Sequence, residues 1–210
     1  MKFALLIIVT VMPLMADATT ISREEIIVIS KKYEYDKPLL VAAIVDKEAV
    51  KIIKEGKTYY KTNSYHPEKS GSYGLMQIQC DTAKSPEFKK DALVGKCDQL
   101  FNAETNIKYG IMWLKFVESK LIVPSIRNIM AGYNAGFDVQ NKRCNKTKNN
   151  KCVEILYATR RCTKETTFHY EGHSPMKCLP GQYINEVYVR DLYYRFALIT
   201  REEKGTAAPK

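Results

Sequence analysis

Between Leu39 and Ile53 the apolar residues recur at helical spacing, and one carboxylate, Glu48, stands inside the stripe. Glu48 follows Ile44 by four residues and Val45 by three, and precedes Ile52 by four, so all of them share one helix face. Asp36-Lys37-Pro38 reads as the start of this helix, with proline in its first turn. The predicted helix runs to about Lys54, and Gly56 reads as its stop. A carboxylate on an apolar face is costly when ionised, so burial should keep it protonated near neutrality, the state a proton donor needs. The competing reading is a glutamate at the edge of the stripe that reaches water or pairs with an arginine or lysine.

A second stretch, Ser70-Gly71-Ser72-Tyr73-Gly74-Leu75-Met76-Gln77-Ile78, lies shortly after the helix. Its two glycines let backbone come close to a ligand, and Thr82 and Ala83 follow. Gly-Leu-Met-Gln-Ile behind an acidic helix resembles the signature of the soluble lytic transglycosylases, lysozyme-like enzymes that cleave bacterial peptidoglycan. Three further stretches agree in order: Leu100 to Gly110, Gly132-Tyr133-Asn134-Ala135-Gly136, and Tyr183-Ile184-Asn185-Glu186-Val187. The resemblance covers about Leu39 to Phe137 and resumes near Tyr183. It implies a mainly α, lysozyme-like helical domain of the goose-type class and no metal or organic cofactor.

Glycoside cleavage ordinarily needs a proton donor and a second carboxylate. The family is understood to dispense with the second, because the muramic acid 6-hydroxyl attacks its own anomeric carbon and leaves a 1,6-anhydro sugar. By that resemblance Glu48 serves as acid and then as base. Gly74, Met76, Gln77 and Thr82 would line the sugar cleft, with Tyr133 and Asn134 facing Glu48 across it. Tyr133 could orient the acid and Asn134 bind an N-acetyl group, against a packing tyrosine and a capping asparagine as the plain alternative. Asn106 is placed with the substrate on the same grounds, with a bond to loop backbone as its alternative. The sequence departs from the family pattern at Ala49, where serine is usual, and at Gln79, where many members carry methionine. No glutamate stands in Leu179 to Gln182, where some members have one.

Other readings compete. A goose-type lysozyme shares the glycine and Tyr-Asn-Ala-Gly strips but hydrolyses with water; its usual aspartate corresponds to Gln79 here, leaving Glu68 as the candidate second carboxylate. A non-catalytic envelope-binding protein would use the basic residues between Phe137 and Gly181 to grip an anionic polymer. The formal charge of +10 favours anionic surfaces generally. Nucleic acid is disfavoured, because no nucleic-acid motif accompanies that charge and the chain reads as exported.

Export is read from Met1-Lys2, an apolar run from Phe3 to Met15, and Ala16-Asp17-Ala18, which together have the form of a cleavable signal peptide over residues 1–18. The run is short for a bilayer span, which needs about 20 residues. No other segment reads as a membrane crossing. The expected destination is the periplasm or the exterior, and the glycan strands of peptidoglycan are the expected partner, with a secretion-system or envelope partner left open. Six cysteines, an even number, fit an oxidising compartment. Many pairings are open, and neighbour pairing leads: Cys80 with Cys97, Cys144 with Cys152, Cys162 with Cys178. A zinc site on Cys162, His169, His173 and Cys178 lacks the His-Glu-x-x-His order and is the weaker use of those residues.

One domain over residues 19–204 is expected, with a cysteine-rich basic insertion at 137–181 and a flexible tail at 205–210. Ser22 to Glu25 reads as a capping box that opens a helix, although Ile26 to Ile29 also suits a strand. Lys57 to Ser72 reads as a loop or short hairpin beside the cleft. Ala103 to Lys120 reads as a helix, and Pro124 as the first turn of another that ends near Gly132-Tyr133-Asn134. Trp113 is expected in the core. Ile184, Tyr188, Leu192, Phe196 and Ile199 form an apolar stripe expected to close it.

Overall fold

The computed structural model describes residues 19–67, 71–135, 144–146, 152–155, 162–168, 176–180, 182 and 184–205. The proposed signal segment, Glu68, His169, His173 and much of the insertion therefore lie outside the described residues.

Helix α1 (Arg23–Lys32) begins as its sequence requires: Ser22 Oγ accepts from the Glu25 N–H, and the Glu25 carboxylate accepts from the Ser22 N–H at 2.8 Å. The strand alternative for Ile26 to Ile29 is thereby set aside. Helix α2 (Pro38–Glu48) is buried on every side from Leu40 to Lys47, which makes it the central helix of the fold. Around it pack α1, α4 (Ala103–Lys120) and α6 (Ile184–Glu203), and α5 (Ile126–Ala135) packs between α4 and α6. The main core built this way includes Ile26, Leu40, Ile44, Leu100, Ile107, Leu114, Met130 and Leu192. Trp113 is half-buried at the rim, stacked on Phe116. Asn102 caps α4 through the Thr105 N–H, and Ser125, one residue after Pro124, caps α5 through the Asn128 N–H.

The predicted end of the second helix is corrected. The helix stops at Glu48, and Ala49 is already extended at φ −94° and ψ 152°. Lys51–Lys54 is instead strand β2, paired antiparallel with β3 (Lys57–Lys61), which also pairs with β1 (Thr20–Ser22). Gly56 is therefore no helix stop. It shares a tight hairpin turn with Glu55, both at positive φ (74° and 50°), the conformation a two-residue hairpin needs. Ile52 consequently does not share a helix face with Glu48. Two adjacent β-branched residues between lysines suit a strand, and pairing with β3 decided what periodicity left ambiguous.

A second small sheet, β4 (Tyr65–His66), β5 (Ser72–Tyr73) and β6 (Ile78–Gln79), carries the glycine-rich strip and leads into the one-turn helix α3 (Cys80–Ala83). Cys80 is joined to Cys97, at a Cα separation of 5.5 Å. In the insertion, β7 (Cys144–Lys146) pairs with β8 (Cys152–Ile155), and β9 (Thr166–Phe168) with β10 (Met176–Cys178). Cys162 is joined to Cys178 at a Cα separation of 6.2 Å and packs on Val187 of α6, tying this part of the insertion to the helical core. That bond removes two residues from the zinc set. The side chains of Cys144 and Cys152 lie outside the described residues. Among the described residues no helix is long and apolar enough to cross a membrane.

Candidate active site

The end of α2 decides where Glu48 points. The Ala49 N–H closes the helix on the Val45 carbonyl at 2.9 Å, so Glu48 is the last helical residue. It is half-buried, and its Oε1 accepts a 2.5 Å hydrogen bond from the Tyr188 hydroxyl of α6. Burial is the dominant influence on its carboxyl and raises the pKa above the ordinary 4.5. The negative end of the α2 dipole acts in the same direction. Against these stand the Tyr188 hydrogen bond and the positive charges of Lys47, His66 and Arg195, which favour the carboxylate.

Tyr133, in the last turn of α5, is half-buried and feels Glu48: burial first, and then the Glu48 charge, raise its pKa well above 10. Its hydroxyl nevertheless donates to the Met76 carbonyl at 2.5 Å, while the Tyr133 carbonyl accepts from the Trp113 Nε1–H at 3.4 Å. The phenol that touches Glu48 is thus Tyr188, and Tyr133 holds the glycine strip. Tyr188 lies in the apolar stripe of α6 and is buried in the core as that stripe predicts, with its hydroxyl turned to Glu48. The signal that could have found it is chemical, since a buried tyrosine hydroxyl needs a partner.

Three of the residues expected to line the cleft are packed beneath it. Asn106 is fully buried, with Oδ1 accepting from the Met76 N–H at 2.7 Å and Nδ2 donating to the carbonyls of Tyr73 and Leu100 at 2.7 and 2.8 Å. It is a staple for the strip and offers nothing to a sugar, as its alternative reading had it. Gly74, at φ 70°, is buried against that amide, and a Cβ there would lie 2.4 Å from Asn106 Nδ2 and from the Leu100 carbonyl. Met76 is fully buried, its thioether lying against Gly110 of α4. Gln77, by contrast, is half-buried at φ 48°, its Nε2 donating to the Gly74 carbonyl at 2.8 Å and its Oε1 without a hydrogen-bond partner among the described residues. Thr82 is half-buried and Asn134 exposed, so both keep an open side. On the small sheet Tyr65, Tyr73 and Phe101 form an aromatic group with centroids 5.0 and 5.4 Å apart, and His66 beside it is exposed.

Removing the Tyr188 hydroxyl provides a direct check on this geometry. A hydrogen bond to a charged group contributes about 1.5–3 kcal/mol, and about 1.4 kcal/mol is tenfold in rate. Tyr188→Phe should therefore slow glycan cleavage about tenfold or more and, because a donor that favours the carboxylate is lost, move the alkaline limb of the pH profile upward. An unchanged rate and limb would mean that the contact does not matter to turnover.

With this geometry in view, the transglycosylase SLT domain model matches residues 25–155, more than half of the chain. The chain belongs to the transglycosylase SLT family. Among curated proteins and solved structures none matches. Membership makes the fold lysozyme-like and the activity of the lytic transglycosylase type, directed at peptidoglycan. The matched segment runs from within α1 through α5 and includes the glycine strip, whereas Tyr188 and the rest of α6 lie beyond it. In this SLT protein the partner of Glu48 thus comes from a part of the chain that the family match does not reach.

Proposed function

We propose that the protein is an exported lytic transglycosylase that cleaves the β-1,4 bond between N-acetylmuramic acid and N-acetylglucosamine in peptidoglycan. Glu48 acts as its single acid and base. The observation that carries this reading is the environment of Glu48: a half-buried carboxyl at the end of the central helix, its pKa raised by burial and its Oε1 bonded to one phenol. A protonated carboxyl gives its proton to the glycosidic oxygen as the bond to the anomeric carbon breaks. The muramic acid 6-hydroxyl then closes on that carbon, and its proton returns to Glu48. Water adds nowhere.

The side chains whose charge acts most on Glu48, namely Lys47, His66 and Arg195, all favour its carboxylate form. They suit the step in which Glu48 is a carboxylate and supply no second acid. Gln77, Thr82, Tyr133 and Asn134 remain the residues proposed to meet the glycan. Export through the segment at residues 1–18 is part of the same proposal, supported by the disulfides Cys80–Cys97 and Cys162–Cys178.

Product mass tests the reading. Digestion of purified peptidoglycan should yield muropeptides with 1,6-anhydro ends, each about 18 Da lighter than a hydrolysed end by one water. Products dominated by ends that borohydride reduces would replace the transglycosylase with a goose-type hydrolase.

A further inference from the structure

Directly before Glu48 stands Lys47, a lysine only 3% exposed in the wall of the core. Its ammonium is 2.8 Å from Asp191 Oδ2 of α6 and 5.4 Å from the centroid of the Tyr188 ring, whose hydroxyl bonds to Glu48. The same aspartate receives Arg195 Nε at 3.0 Å, and Arg195 Nη1 continues to the Asp46 carboxylate at 2.7 Å and the Asp46 carbonyl at 3.1 Å. Asp46 also takes Lys51 Nζ at 2.7 Å and the Tyr60 hydroxyl at 2.8 Å. Residues 46 to 48 thus form a short run at the end of α2 whose first two side chains anchor to α6 through charge, while the third faces the cleft.

Stability alone does not account for such a cluster. Withdrawing each ion from water costs several kcal/mol, and apolar residues of similar volume often serve the fold as well or better. The sign of the charges is more informative. Three cations, Lys47, Lys51 and Arg195, meet two carboxylates, Asp46 and Asp191, so the cluster carries one surplus positive charge while Glu48 is protonated and is balanced when Glu48 ionises. An acid that must later work as a base needs both protonation states within reach.

We propose that Lys47 is a positioning residue for Glu48: seated on Asp191 beside the Tyr188 ring, it fixes the phenol that bonds to the acid and supplies a balancing charge for the carboxylate. This inference rests on the reading of Glu48 as the acid. Among the described residues, the groups that act on Glu48 are Lys47 of α2, Tyr188 and Arg195 of α6, His66 of β4 and Tyr133 of α5. Of these, Lys47 joins the charge cluster to the phenol. Its loss leaves burial less opposed and makes Glu48 harder to ionise.

The experiment is a pH profile of kcat/KM on solubilised glycan strands for the wild type, Lys47→Met, Lys47→Arg, Tyr188→Phe, the Lys47→Met/Tyr188→Phe double variant and Glu48→Gln, with near-ultraviolet circular dichroism to confirm folding. Lys47→Met should lower the rate at the optimum about tenfold and move the alkaline limb to higher pH. Lys47→Arg, which restores the charge, should return the limb to its wild-type position. The losses in Lys47→Met and Tyr188→Phe should be less than multiplicative in the double variant, since the lysine acts through the phenol. A limb that stays in place in folded Lys47→Met, or losses that multiply, would overturn the proposal. Should Lys47→Met fail to fold, Lys47→Gln, which keeps a hydrogen bond to Asp191 without the charge, must move the limb in the same direction; an unmoved limb there overturns it equally. Glu48→Gln separates the two readings: if it is inactive while Lys47→Met keeps the wild-type profile, only the role of Lys47 falls, and if it turns over normally both fall.

Discussion

Glu48→Gln is expected to reduce glycan cleavage by about 10²–10⁴-fold, the range general acid–base catalysis contributes, while leaving the fold intact. Glutamine keeps the shape and the acceptor for Tyr188 but has no proton to give. The same substitution should raise stability at neutral pH, and the sign follows from linkage. Burial lifts the folded-state pKa of Glu48 above its unfolded value near 4.5, so between the two the native state binds more protons than the unfolded chain. Stability from this group is fully present below the unfolded pKa and is lost as pH rises through the folded one. Glutamine does not titrate and loses nothing. Thermal unfolding of both proteins at pH 4 and pH 7 should show a gap in favour of Glu48→Gln that opens at the higher pH, and muropeptide release gives the activity. Wild-type turnover, or a gap that closes as pH rises, would remove Glu48 from its proposed role.

Asn106→Ala should cost about 2–4 kcal/mol, because it removes the partner of a buried N–H, a buried carbonyl and a partly buried carbonyl, the buried groups each worth about 1–3 kcal/mol when orphaned. Those groups belong to Met76, Tyr73 and Leu100, and Met76 is also where Tyr133 is fastened. Activity should fall with stability, as the strip between α2 and α4 loses its staple. Denaturant unfolding measures the first effect, and the split between kcat and KM tests the second. A variant of normal stability whose KM alone rises would restore Asn106 to the substrate.

Both predictions depend on a division of labour that the motifs did not reveal. The glycine strip looked like a ligand surface, yet Gly74 and Met76 are buried with Asn106, and only Gln77 and Thr82 keep partial access. In effect the motif builds the floor on which Tyr133 is set.

What the chain determined by itself is local or compositional. The capping box at Ser22, the helix of Ala103–Lys120 and the mainly α fold around an apolar helix that carries Glu48 were all legible, because capping chemistry and helical periodicity act within a few residues. The pairings Cys80–Cys97 and Cys162–Cys178 followed the sequence neighbours, as short loops between cysteines favour. Tertiary structure decided the rest. It ended α2 at Glu48 by drawing Lys51–Lys54 into a sheet with β3, a pairing whose outer partner, β1, lies before α1. It brought Tyr188 across 140 residues to Glu48, and Asp191 and Arg195 to Lys47 and Asp46. No periodicity in either helix encodes those contacts, since a tyrosine in an apolar stripe and a lysine beside a glutamate acquire their meaning only when α2 and α6 are packed together and the buried polar groups must find one another.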